Sequence, residues 1–124
     1  MDVLSSRVLI HPRDHEVSTA FYRDVLGLAI EREFPGGTRF FAGGGSIEVV
    51  GTGEEGPGPD VNLFLQVRDL PATLSELAGR GVEPVREARR EPWGTDEAWI
   101  ADPDGLRIVL VEVPEDHPLR RDKR

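Results

Sequence analysis

Apolar residues in this chain fall into short runs with two periods. Val8, Leu9 and Ile10 make a compact β-prone run, and Val17, Ala20, Phe21, Val25 and Leu26 then recur at helical spacing. A strand over 5–12 and a helix over about 15–26 follow. Asp14 is placed to cap the helix and Gly27 to end it. Residues 29–34, 38–42 and 46–50 read as three further strands, separated by Pro35-Gly36-Gly37 and Gly43-Gly44-Gly45. The order then repeats. Residues 61–67 form a strand, Asp69 caps a helix striped by Leu70, Leu74, Leu77 and Ala78, and 82–87 form a short strand. Residues 88–94 read as charged and irregular. Residues 97–101 and 106–113 make a hairpin across Asp102-Pro103-Asp104-Gly105, a sequence suited to a tight turn.

The repetition has a constant register. Arg7 to Asp14 aligns with Asn62 to Asp69 at an offset of 55, and Glu48 answers Val109 at an offset of 61. Neither copy can bury a sheet face alone, so two modules packing as one domain over 1–124 are expected. Module 1 spans about 5–51, a linker without apolar residues 52–60, module 2 about 61–113 and a polar tail 114–124. The expected fold class is α+β: two tandem βαβββ modules whose curved mixed sheets surround a cleft, with the helices outside.

Composition narrows the function. With 124 residues and 38% hydrophobic content the core is modest, and a homodimer would bury more surface. A net charge of −8 argues against nucleic acid. No apolar run reaches the roughly 18 residues of a membrane span. No signal peptide is evident, and the chain has no cysteine, so a cytoplasmic protein is expected.

Phe21-Tyr22-Arg23-Asp24-Val25-Leu26-Gly27-Leu28 resembles the first-helix signature of the vicinal oxygen chelate superfamily. That group includes glyoxalase I, extradiol dioxygenases, and fosfomycin- and bleomycin-resistance proteins. Asp102-Pro103-Asp104-Gly105 before an apolar strand resembles its second signature, and the resemblance covers about 5–113. It implies paired sheets around a cavity, with metal-dependent members carrying one ligand on each of four strands. Here those positions are Arg7, Glu48, Asn62 and Val109. Arginine has no free lone pair and valine has no donor, while a divalent first-row metal wants three or four N, O or S ligands. No metal and no other cofactor are therefore expected. His11 and His15 straddle Pro12 at a strand-to-helix corner and read as corner residues, with His117 in the tail.

Arg7 and Glu48 can instead pair, bidentate, with Asn62 completing a polar cluster that either links the sheets or contacts a ligand. Pro92-Trp93-Gly94 resembles the bleomycin-resistance branch, in which a cavity or groove stacks on a planar drug. The ligand-binding set implied by that reading is Arg7, Phe40, Glu48, Asn62, Phe64, Trp93, Trp99 and Val109. Trp93 sits at a groove rim, with a core role as the other reading; Trp99 divides likewise between core and site. Glu48 as general base is a further reading, though no nucleophile with a base is evident. The expected function is metal-independent binding of an aromatic or apolar small molecule, antibiotic self-resistance by sequestration being the most concrete version. The alternative is a lyase, isomerase or dioxygenase-type enzyme of the same superfamily.

Overall fold

The computed structural model describes residues 1–118 and divides into two compact units. Unit 1 comprises Met1–Gly58 together with Asp102–Gly105; unit 2 comprises Pro59–Ala101 and the chain from Leu106 onward. The tail expected over 114–124 lies outside the described residues from position 119.

Unit 1 runs β1 (Val8–Ile10), α1 (His15–Ala20), a π-helical turn (Phe21–Val25), β2 (Ile30–Phe34), β3 (Gly37–Ala42) and β4 (Gly45–Val50). Its sheet has the order β1-β4-β3-β2, with β1 parallel to β4 and the other pairs antiparallel. Asp14 caps α1 by accepting the Val17 amide at 3.1 Å. The helix closes as the Leu26 amide reaches the Phe21 carbonyl, and Gly27 follows in the left-handed region at φ 71°. Strand alternation sends Ile10, Phe40, Ile47 and Val49 to the face that packs beneath the helix, where the Tyr22 and Phe40 rings lie 6.3 Å apart. β1 is shorter than the expected 5–12 because only three residues pair with β4.

Unit 2 repeats the plan with β5 (Asn62–Gln66), α2 (Leu70–Gly79), β6 (Arg86–Arg90), β7 (Asp96–Ala101) and β8 (Arg107–Glu112), in the sheet order β5-β8-β7-β6. Asp69 caps α2 through the Ala72 amide at 3.0 Å. Leu70 and Leu77 are buried, as are Ala98, Ile100, Ile108 and Leu110 of one sheet face. The predicted offsets reappear as pairings: Leu9 faces Glu48 as Phe64 faces Val109. The last edge strand departs from expectation. β6 occupies 86–90, most of it inside the stretch expected to be irregular, and 82–85 form no strand. Its charged residues are poor strand signals, but Arg89 and Arg90 pair with Glu97 and Asp96 across a turn, and charge is tolerated on an exposed edge.

Candidate functional site

Each sheet has a second face turned away from its helix, and the two faces carry different chemistry. In unit 1 the face through Glu48 is polar. The Arg39 Nε donates to Glu48 Oε1 at 3.0 Å, and Arg7 reaches the same oxygen at 3.5 Å. Arg39 also contacts Glu31 at 3.4 Å, and the Ser46 hydroxyl donates to Glu31 at 2.7 Å. The Ser46 hydroxyl, helped by Arg39, holds the Glu31 carboxyl below its ordinary range despite the opposing effect of desolvation. The Arg7–Glu48 pair is therefore real but single, not bidentate. Arg39 completes the cluster within this unit, whereas Asn62 belongs to unit 2.

Phe40 requires a correction. It is fully buried against Tyr22, on the face opposite Glu48, so it lines the core. Its neighbour Phe41, which pairs with Ser46, is the aromatic residue on the Glu48 face and is half exposed.

In unit 2 the corresponding face combines aromatic and apolar side chains with Asn62 and two arginines. Asn62, Phe64, Val109 and Trp99 follow one another across β5, β8 and β7, since Asn62 pairs with Arg107, Phe64 with Val109, and Trp99 with Val109. Phe64 is 57% exposed, an unusual state for a phenylalanine. Two guanidinium groups lie over the Trp99 ring, Arg86 at 4.3 Å and Arg107 at 4.2 Å from its centroid. Arg86 is itself held by the Glu91 carboxylate and the Glu97 carbonyl. Trp93 is exposed, and its indole N–H donates to Glu97 Oε2 at 2.9 Å; the Thr95 hydroxyl donates to the same oxygen. This bond fixes the tryptophan side chain while leaving its ring open to solvent.

Arg39, Arg86 and Arg107 were not singled out in the sequence. The period-two alternation about Glu48 and Val109 is the signal that would have found them. A separate cleft of about 510 Å³ lies at the start of α2, lined by Arg68, Leu70, Pro71, Arg89, Arg90 and Glu112 among others, and contains none of the expected site residues.

The family model described as the Glyoxalase/Bleomycin resistance protein/Dioxygenase superfamily matches residues 6–110. The chain belongs to this superfamily. Among solved structures of similar fold, a protein of unknown function from Agrobacterium tumefaciens str. C58 is 25% identical. The alignment covers 92% of this chain and 95% of that one, with a TM-score of 0.75. A glyoxalase/bleomycin resistance protein from Catenulispora acidiphila DSM 44928 is 26% identical over 90% of this chain and all of its own, with a TM-score of 0.71. TioX from Micromonospora sp. ML1 shares the fold at 18% identity and a TM-score of 0.70, covering 88% of this chain and 95% of its own. No curated protein matches the sequence.

The metal of glyoxalase-superfamily enzymes does not fit the donors present here. Of Arg7, Glu48, Asn62 and Val109 only Glu48 is a good ligand, and its Oε1 is already taken by two guanidinium groups. Among the described residues no group of three or more His, Asp or Glu side chains is arranged to hold an ion. His11 and His15 are committed elsewhere: each Nδ1 lies against a backbone carbonyl, Val50 at 3.0 Å and Gly51 at 2.8 Å, so each Nδ1 is the donor. Among the described residues no helix is long and apolar enough to cross a membrane.

Proposed function

We propose that this glyoxalase-superfamily protein binds an aromatic or apolar small molecule on the open face of its second sheet, without a metal held by the protein. The observation that carries the reading is the exposed Phe64, set beside Val109 and Trp99 where a metal-dependent relative would present a ligand. An exposed aromatic surface on a rigid sheet suits a planar ligand, because offset stacking adds about 0.5–1.5 kcal/mol to area burial. Trp93, pinned through Glu97 with its ring exposed, provides a further aromatic contact. Arg7 and Glu48 on the first sheet are a structural pair of that unit. The biological role proposed is antibiotic self-resistance by sequestration, carried out by a homodimer in the cytoplasm.

The test is a fluorescence titration against a panel of fused-ring quinones, enediynes and bleomycin-type glycopeptides. At least one should bind with micromolar or tighter affinity. Phe64→Ala and Trp93→Ala should each weaken that binding by more than twofold, with the fold intact by circular dichroism. If nothing in the panel binds while a small carbonyl or catechol substrate is turned over, sequestration gives way to enzymatic action.

A further inference from the structure

We infer that Arg107 makes the second sheet face selective for an aromatic ligand that carries an anionic group, a carboxylate above all. The inference rests on the reading that this face binds an aromatic molecule, and it specifies which kind. Two guanidinium groups lie over Trp99, but their charges are treated differently. Arg86 is neutralised: its terminal nitrogen contacts the buried Glu91 carboxylate and donates to the Glu97 carbonyl at 3.0 Å. Arg107 has no carboxylate within salt-bridge distance among the described residues. Both of its cross-strand partners, Asn62 on β5 and Ala101 on β7, are uncharged. Of the acids near this face, Glu91 is shared by Arg86 and Arg89, and Glu97 accepts from Trp93 and Thr95. Contact with Trp99 at 4.2 Å fixes the Arg107 head group without cancelling its charge.

A guanidinium is a planar fork of donors that matches a carboxylate in two parallel hydrogen bonds. Because Arg107 is partly buried against the Trp99 ring, its pairing with an anion is screened less than in open water. Phe64 and Val109 beside it require the rest of the ligand to be apolar. The combination describes an amphiphilic ring system: an aromatic body over Phe64 and Val109, and an acid at Arg107. The chain's net charge of −8 repels anions at long range, so the selectivity is local to this residue.

Calorimetric titration of the full chain with anthraquinone-2-carboxylate and its neutral carboxamide tests the inference. At low ionic strength the carboxylate should bind at least tenfold tighter, and the advantage should shrink in high salt. Arg107→Gln should bring the two ligands within twofold of each other, while Arg107→Lys should keep part of the preference. Asn62→Asp leaves Arg107 in place but supplies a carboxylate at its strand partner, and should abolish the preference as well. If the carboxamide binds the natural chain as tightly as the acid, or if the preference survives Arg107→Gln, the anion assignment is wrong while aromatic binding stands. If neither compound binds, aromatic binding by this face fails, and the role of Arg107 with it.

Discussion

The phenolic hydroxyl of Tyr22 donates to Asp102 at 2.8 Å, across 80 positions of sequence, and both side chains are buried. Burial, with the Asp102 carboxylate adding to it, pushes the Tyr22 phenol far above its ordinary value. Asp102 also accepts the Asp104 amide at 2.9 Å, so one carboxylate shapes the turn and receives the phenol.

Tyr22→Phe should therefore destabilise the protein by roughly 1–3 kcal/mol, since it removes a buried hydrogen bond to a carboxylate. Denaturant unfolding at neutral pH measures the loss.

The same phenol dictates the alkaline behaviour. A folded value raised above the unfolded one means a contribution fully present below about pH 10 and lost as pH climbs beyond it. Tyr22 is the only tyrosine in the chain, so tyrosinate absorbance reports this group alone. Phenolate should appear together with loss of circular dichroism, and not in a separate earlier step.

Acid acts through Glu91. Desolvation alone would raise its carboxyl, but hydrogen bonds from Arg89 and Arg86 together outweigh burial and hold it below the ordinary range. Its contribution is present above the unfolded carboxylate value and lost as pH falls through the lower folded one. The natural chain should lose stability below about pH 4.3. Glu91→Gln should be less stable at neutral pH and lose less on acidification, as read from thermal midpoints across pH 2.5–7.

The two adjacent phenylalanines should separate cleanly. Phe40→Ala should cost about 3–5 kcal/mol by emptying a filled core position. Phe41→Ala removes a half-exposed ring and should change stability by about 0.5 kcal/mol or less. Chemical denaturation of both variants checks the assignment of faces.

Elemental analysis of protein purified without a histidine tag should give well below one divalent metal per chain, and a chelator should leave the thermal midpoint unchanged. Stoichiometric Zn, Ni, Mn or Fe lost on Glu48→Ala would overturn the donor argument. Sedimentation at micromolar concentration should give the mass of two chains; the mass of one would remove the homodimer from the proposal.

The frame of the fold was legible because its signals are local and doubled. Asp14 and Asp69 cap the helices as their sequence positions imply, and the offset between Leu9 and Phe64 survives as equivalent strand pairing. What could not be read was which side of a strand a residue takes when both neighbours are apolar. Phe40 and Phe41 are indistinguishable by composition, and only the pairing of Phe40 with Ile47 on the helix side decides between them. The strand expected at 82–87 lies instead at 86–90 for a related reason: Arg86 to Arg90 has no apolar alternation, and its conformation is imposed by the partner strand. The Glu48 cluster was half legible. Arg7 is visible through the repeat, whereas Arg39 emerges only once β3 and β4 are set in register.

The Asp102–Gly105 turn joins two strands of unit 2 yet packs as part of unit 1, where Asp104 accepts the Arg13 amide and guanidinium and Asp102 receives Tyr22. The two repeats are thus unequal heirs of one plan. The matching turn of the first repeat, built from Gly43 and Gly44, offers no acid in return. A fragment ending at Gly58 would lack both the Asp102 acceptor of the Tyr22 hydroxyl and the Asp104 acceptor of Arg13. Cutting the linker should therefore leave the first piece poorly structured alone and restored on mixing with the second, which brings the two acids, as read by circular dichroism.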